Sequence, residues 1–513
     1  MTRETALALP EADVKPATGL APVDRRVFII AAAAFVLLMA FSARYGFNTD
    51  ELYFLDCGRH LSWSYVDQPV LVPLLARISL DLFGVSVVGL RLWPSLAAFA
   101  TIIVSALLAR EFGGGRKAQL MCAVGVATAP GLLVPDHILD TSPFDQVAWC
   151  ALALVVVRIG RTGNTRLWVP AGLILGAGLN NKTLVVFFAI AIIIGTVLSG
   201  GIRFLANRYF AAGALIALGF AIPGLWWQAH HHWAMIAMTR SLDAEIGGPH
   251  YMPSFIFWQL FLVAPVLIAV WFHGLVSLWR SACLLWRSLA WAYGLLVLFF
   301  TVTSGRSYFL AAAYFYLLAA GTVVFERRWA AEPGKSRALF GLAVPLFTLI
   351  NLVVVLPVLP ARLSGWTAGI YTENMESTGW PELTATAARV WDQLPAAQRA
   401  GAVIFTDNYG EAGAINELGS RYGLPQAVSG HNNLWWWGPG NPGATTVVAV
   451  VNDKSGSTRL TEQLRRNFAR VQVVATIRND ANLNTFENGG HVYLCTGPVH
   501  SWGALWPSLR HYG

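Results

Sequence analysis

The chain is 513 residues long, 55% hydrophobic and only 12% charged, with a formal net charge of +8. Soluble globular chains are about a quarter charged, so this composition excludes an ordinary soluble enzyme and points to a membrane-embedded protein. Residues 361–513 hold 11 Lys+Arg and 11 Asp+Glu, so the whole basic excess lies in the first 360 residues. Positive loops there are retained in the cytoplasm, and nucleic acid is not an expected partner.

Residues 1–26 are polar and Pro/Ala-rich and read as a cytoplasmic tail ending in Arg25-Arg26. The first apolar run, VFIIAAAAFVLLMAFSA, lies far from the start and is long for a signal peptide, which favours an uncleaved anchor. A span needs about 20 apolar residues. Runs of that order lie near 27–43, 87–109, 118–134, 144–158, 183–199, 209–228, 254–276, 288–303, 308–325 and 338–360, and a shorter run at 167–180 brings the count to about eleven. With eleven, the basic loops REFGGGRK, RIGRTGNTR, GGIRFLANR and ERRWAAEPGKSR share one side, as the positive-inside rule requires. The acidic loops TDE, PDHILD and LDAEIGG fall on the other. Within the short run, Gly172 and Gly176 have small-xxx-small spacing, which lets helices approach closely.

The first outer loop, residues 44–86, is long. Leu52, Tyr53, Leu55 and then Leu71, Leu74, Leu75, Ile78 recur at helical spacing, which predicts two amphipathic helices in the membrane interface; a short soluble cap is the other reading. From about 361 the character changes. GAVIFTD (401–407), TTVVAVVND (445–453) and VQVVATI (471–477) read as strands and Leu460–Phe468 as a helix. The expected architecture is a polytopic α-helical membrane domain over 27–360 followed by an extracytoplasmic α/β domain over 361–513. No glycine-rich dinucleotide fingerprint follows any strand.

Five cysteines (57, 122, 150, 283 and 495) lack metal-ligand spacing and read as five unpaired, mostly packed thiols; Cys57 and Cys495 share the outer, oxidising side, where a bridge between them is the other reading. HHHW (230–233) reads as a metal cluster or as an interfacial His/Trp group. WWW (435–437) reads as a sugar platform or as a loop packed on the membrane part.

Ionisable residues gather at the outer span boundaries: Asp50, Glu51, Asp67, Asp136, Asp140, Lys182 and Arg306. Charges near hydrocarbon are costly and usually face a cavity. A carboxylate there can take a proton from a hydroxyl, while Lys and Arg can stabilise a departing phosphate. Asp50 is the expected base, with Glu51 or Asp140 orienting it, and repulsion between adjacent carboxylates is expected to raise one pKa. No cofactor is required by the sequence. A divalent cation among Asp50, Glu51 and Asp140 is left open, because their spacing is not diagnostic.

Four stretches, TDELYFLDCGRHLSWSYVDQP, PDHILDTSPFD, GLNNKTLVVFF and GRSYFLAAAYFYLLAAG, resemble in that order the blocks of the GT-C glycosyltransferases. The likeness is strongest to bacterial relatives of protein O-mannosyltransferases and of the aminoarabinose transferases that modify lipid A. The tail NYGEAGAINELGSRYGLPQAVSGHNNLWWWGPGNP also resembles the outer domain of that group. The resemblance implies an inverting hexosyl- or pentosyl-type transferase that moves a sugar from a polyprenyl-phosphate donor to a lipid, glycan or protein hydroxyl outside the cell membrane. It places the family's catalytic aspartate on Asp50 of the Asp50-Glu51 pair and its second-loop aspartate on Asp140, although Ser142 is an extra residue in the DTSPF segment. It places donor or acceptor contacts on Asp67, Gln68, Lys182, Arg306 and Tyr308; His250, which opens the span at 254–276, is expected beside the same cavity from its position alone. The same charges would also suit a carrier for lipid-linked sugars or a non-catalytic scaffold. Transporters tend to have repeated halves and mid-membrane charges, and neither pattern is present in the sequence.

Overall fold

The computed structural model describes residues 19–246, 251–331, 334, 338–366, 374–452, 458–479 and 487–512. Its first two-thirds is helical. α1 (Arg26–Phe41), α2 (Thr49–Arg59), α3 (Leu71–Phe83), α4 (Val87–Glu111), α5 (Arg116–Ala127), α6 (Pro130–Asp136), α7 (Ser142–Thr162) and α8 (Trp168–Leu179) come first. α9 (Leu184–Leu198), α10 (Arg208–His230), α11 (Ala234–Ile246), α12 (Tyr251–Gln259), α13 (Ile268–Trp279), α14 (Leu284–Val302), α15 (Ala311–Ala331) and α16 (Val344–Val355) follow.

Among the described residues, five helices (87–111, 142–162, 208–230, 284–302 and 307–328) are long and apolar enough to cross a membrane. α5 and α6, bent by 52°, make up to six if they form one span. The bend falls at Pro130, which holds Ala129 extended at ψ 131°, as a residue before proline prefers. Five shorter apolar helices, at 26–41, 165–179, 184–198, 265–279 and 340–355, coincide with other runs read from the sequence. The run at 254–276 is not one continuous helix. It breaks after α12 and restarts at Pro265, because Ala264 before that proline is extended at ψ 125°.

Close contacts order the bundle. α8 and α10 cross where a Cβ on Gly172 would strike the backbone of Gly213, and one on Gly176 would come within 2.8 Å of the Phe220 ring. This is the use that small-xxx-small spacing anticipates. At one end of the bundle the basic loops converge on two carboxylates. Buried Glu111 accepts from Arg158 and Arg161, and Glu326 accepts from the backbone N–H groups of Gly115, Lys117 and Ala118. The latter contact places negative charge on the N-terminus of α5, where the helix dipole favours it.

At the other end sits the C-terminal α/β unit. It comprises α17 (Trp380–Gln393), β1 (Ala402–Thr406), α18 (Tyr409–Leu418), β2 (Val428–Ser429), α19 (Asn432–Trp436), β3 (Thr446–Val451), α20 (Arg459–Asn467), β4 (Phe468–Thr476) and β5 (His491–Pro498). The five strands run in the order β2-β1-β3-β5-β4. β1 pairs parallel with β2 and β3, while β5 pairs antiparallel with β3 and β4. The three strands and the helix expected from periodicity are present; β2, β5, α17 and α18 complete the unit.

α2 and α3 are helices as expected, but α2 is not half-exposed at an interface: Glu51 through Gly58 are all buried. The C-terminal unit covers its second face. A Cβ on Gly58 would lie 2.9 Å from the Arg77 nitrogen of α3, and one on Gly413 of α18 would lie 2.8 Å from the Leu52 carbonyl carbon. Leu52, Leu55 and Val72 share one apolar core with Trp380, Leu383, Ile404 and Ile415. α3 retains an exposed apolar side with Leu74, Leu82 and Phe83.

The aromatic tracts are packing devices. Trp435 and Trp506 each donate an indole N–H to the other's carbonyl. The Trp436 ring meets His231 edge-on at 4.8 Å, and Trp437 stacks on His60 at 4.3 Å. His231 in turn stacks on Trp227 at 3.7 Å. HHHW and WWW thus touch through His231 and Trp436, while His230, His232 and Trp233 remain exposed. All five cysteines are free thiols; Cys57 lies within α2 and Cys495 within β5, opposite Val447 and Val471.

Candidate active site

Two helices begin with the same device and point their first turns at each other. Asn48 caps α2 by accepting from Asp50 N, while Glu51 reaches back to Asn48 N at 2.8 Å. Asn408 caps α18 by accepting from Gly410 N and Glu411 N, and Glu411 returns to Asn408 N at 3.2 Å. Such Asn-x-x-Glu capping boxes fix the helix start, each cap contributing about 1 kcal/mol. The residues just inside them, Asp50 and Tyr409, meet: the Tyr409 hydroxyl donates to Asp50 Oδ1 at 2.8 Å.

Asp50 is half-buried. Burial is the main influence on its carboxyl, and the negative charge of Asp140 adds to it. Against the partial opposition of the Tyr409 hydrogen bond, and with smaller contributions from Glu376 and Asp67, the pKa stands at about 7. A carboxyl so placed is half-ionised near neutrality, where a general base works best.

Glu51 does not share this pocket, which corrects its assignment as an orienting carboxylate. Its side chain is fully buried and turned away, held in a bidentate pair with Arg91 at 2.9 Å and accepting from Leu139 N and Asn48 N. Arg91 also donates to the carbonyls of Ser42 and Gly46. Glu51 is therefore a clasp joining α2, α4 and the segment before α7. The second carboxylate that bears on Asp50 is Asp140 rather than its sequence neighbour.

Asp140 sits in the turn before α7 and accepts from Thr141 Oγ1 at 3.1 Å and Ser142 N at 3.2 Å. Burial pushes its pKa up, but Lys182 and the hydrogen bonds from Ser142 and Thr141 outweigh this and leave it below the usual carboxylate value. Lys182 follows α8 in the Asn180-Asn181-Lys182 turn, donates to Ser142 Oγ at 3.1 Å, and lies 5.3 Å from the centroid of Tyr308. Asn181 fastens that turn to Thr141 O at 2.7 Å. Burial pulls the Lys182 ammonium pKa down; Tyr308, Asp140, Asp145 and Asp50 outweigh it and hold it charged. The extra serine of the DTSPF segment thus bridges Asp140 to Lys182.

Tyr308 is within electrostatic range of Lys182, Asp140, Arg306 and Asp50, so these side chains occupy one neighbourhood. Arg306 stands immediately before the turn that leads into α15, is half-buried, and makes no ion pair among the described residues. Asp67 accepts from the Tyr53 hydroxyl at 2.9 Å, and burial lifts its pKa to about 6 against that bond. The Tyr53 ring lies 4.7 Å from that of Tyr409. Gln68 is buried with its Nε2 unpartnered among the described residues. His250 lies outside the described residues. Asp136 is buried with neither oxygen hydrogen-bonded among the described residues. Among the described residues no three His, Cys, Asp or Glu side chains converge as a metal-ligand set, and with Glu51 bound to Arg91 the proposed Asp50, Glu51 and Asp140 trio does not form one. Sequence reasoning missed Tyr409 and Arg91. The repeated Asn-x-x-Glu box in NTDE and NYGE was the available signal for the first; nothing local marked the second.

Residues 67–227 match a family model described as dolichyl-phosphate-mannose-protein mannosyltransferase; the match begins at Asp67 and so leaves out Asp50. No curated protein matches the chain. Two solved structures of ArnT from Cupriavidus metallidurans, one apo and one bound to undecaprenyl phosphate, each align over 91% of this chain and 97% of that chain, with TM-score 0.58 and 14% identity. The mycobacterial arabinofuranosyltransferase AftD aligns at TM-score 0.49 and 14% identity over 93% of this chain and 40% of its own. The chain therefore has the GT-C fold seen in ArnT, with a segment similar to the dolichyl-phosphate-mannose-protein mannosyltransferase family.

Proposed function

We propose that this protein is a glycosyltransferase of the cell membrane that transfers a sugar from a polyprenyl-phosphate donor to an acceptor hydroxyl on the extracytoplasmic side. The observation that carries the reading is the convergence of Asp50, with a pKa of about 7, and the charged Lys182 with its Asp140 and Ser142 partners in one half-buried neighbourhood. The fold shared with ArnT, one structure of which holds undecaprenyl phosphate, supports a lipid-phosphate donor. In the proposed topology the polypeptide crosses the membrane eleven times, with its amino terminus in the cytoplasm and the α/β unit outside.

Asp50 accepts the proton of the acceptor hydroxyl. The oxygen forms a bond to the anomeric carbon as the bond from that carbon to the phosphate oxygen breaks, and configuration inverts. The departing polyprenyl phosphate takes the electron pair, and Lys182, aided by Arg306, stabilises its charge. Asp140 keeps Lys182 charged and placed. Gln68 and Asp67 line the sugar side, where an unpartnered buried amide would gain a hydroxyl partner.

The test is transfer in reconstituted proteoliposomes supplied with a polyprenyl-phosphate sugar and envelope acceptors. Asp50→Asn is expected to reduce turnover by about 10²–10⁴ while leaving donor affinity within a few-fold. Retained turnover would remove Asp50 as the base. Donor translocation without transfer by the native protein would replace the enzyme reading with a carrier.

A further inference from the structure

Tyr409 belongs to the C-terminal unit, 359 residues from Asp50 in sequence, and donates the one side-chain hydrogen bond that Asp50 receives among the described residues. Its ring is fixed on both sides, at 4.7 Å from Tyr53 on α2 and 4.6 Å from His431. His431 is buried and stacks on His511 at 4.8 Å, and His511 is anchored to Asp407 O at 2.9 Å. The hydroxyl therefore cannot swing away without unstacking a column of rings from three segments of the C-terminal unit. The unit is itself bolted to α2 by Arg59 to Glu417, at 2.7 Å on both oxygens, and by Asn416 to Asp56 at 2.9 Å.

We propose that Tyr409 is a positioning residue of the active site, through which the C-terminal unit aims the Asp50 carboxylate and holds it ready to accept a proton. This deepens the reading above and rests on Asp50 being the base. On this view the C-terminal unit is a structural half of the catalytic centre, and one Asp50 oxygen is committed to Tyr409 while the other is left for the acceptor. A hydrogen bond to the ionised form favours that form. The other groups acting on Asp50 are Asp140 from the turn before α7, Glu376 from the segment before α17 and Asp67 from the first outer loop, all raising its pKa; Lys182 is the cation within range. The Tyr409 hydroxyl is the neutral donor among them, and its loss moves Asp50 in a known direction.

The experiment is the pH profile of kcat/KM for sugar transfer by the full-length protein in proteoliposomes, comparing native, Tyr409→Phe and Asp50→Asn. Phenylalanine keeps the ring stack and removes only the donor. The acidic limb is expected to move up by about one pH unit, so transfer falls about 5-fold at pH 7 and recovers towards native at pH 9, with KM for the donor unchanged. Proteolytic protection of the C-terminal unit is measured alongside, and unchanged protection assigns the shift to Asp50 rather than to undocking. A Tyr409→Phe profile that superimposes on native, in a preparation where Asp50→Asn is inactive, overturns the role of Tyr409 and leaves the base intact. If Asp50→Asn is fully active, the base reading itself has failed. Where Tyr409→Phe disturbs docking, 3-fluorotyrosine at position 409 keeps the ring and hydroxyl and strengthens the donor; a limb moved to lower pH supports the proposal, and an unmoved limb in a docked protein counts against it.

Discussion

Asp50 and Glu51 are adjacent, yet the backbone turns them to opposite fates. At the N-terminus of α2, successive side chains project about 100° apart, so one of the pair meets Arg91 and the other meets Tyr409. Both Glu51 and Arg91 are nearly inaccessible, and such a pair owes its tolerance to complete hydrogen bonding. Arg91→Ala leaves Glu51 buried without its counter-ion and is expected to cost about 3–5 kcal/mol, read as a loss of thermal stability in detergent. Arg91→Lys is expected to recover only part of this, because an ammonium cannot repeat the forked contact. Lys182→Ala removes the cation facing Asp140 and is expected to weaken donor binding in proteoliposomes by about tenfold or more, with acceptor KM less affected. Equal losses on both substrates would count against the phosphate role.

At the scale of elements, α2 is held between two neighbours, each brought close at a glycine. Gly58 lets α3 approach and Gly413 lets α18 approach, each at a separation that any Cβ would breach against backbone atoms. Gly413→Val is expected to push α18 off α2, breaking the Tyr409 contact and exposing the C-terminal unit to protease; an equally protected variant would show that the two helices can part without loss. Gly413 falls in NYGEAGAINEL, whose capping box is readable from sequence, but no sequence rule says which helix a glycine will touch. The amphipathic spacing of α2 and α3 identified both as helices. It did not reveal that α2 is covered on both faces, since periodicity reports one apolar side and the second was supplied by a chain segment some 360 residues away. The run at 254–276 shows the complementary limit: its composition is that of one span, while Pro265 interrupts the backbone inside it.

At the scale of the whole molecule, the helical bundle and the α/β unit are joined through α2 by buried polar contacts whose strength depends on pH. Asp56 is almost inaccessible, and burial raises its pKa to about 8, opposed by the Asn416 hydrogen bond. A carboxyl with its folded pKa above the ordinary 3.8 binds its proton more tightly when folded. Its contribution is therefore fully present below about pH 4 and lost as pH rises through about 8. The docked arrangement is expected to weaken between those limits, and Asp56→Asn, which keeps an acceptor for Asn416, is expected to flatten the trend. Thermal unfolding of native and variant protein from pH 5 to 9 measures it; parallel curves would remove Asp56 from the account.

The amino-acid sequence by itself determined the membrane class, the approximate helical runs and the strand-helix-strand character of the C-terminal part. These follow from local hydrophobicity and periodicity, which any short window of the chain contains. It also singled out Asp50, Asp140 and Lys182, because charges beside apolar runs are conspicuous. Only the tertiary structure decided that Asp140 rather than Glu51 bears on Asp50, that Ser142 links Asp140 to Lys182, that His231 of HHHW meets Trp436 of WWW, and that a tyrosine from the far end of the chain donates to Asp50. The reason is physical: a carboxylate's partner and ionisation are set by what lies within a few ångströms in space, and proximity between distant segments is created by packing, not carried by any residue's neighbours in the chain.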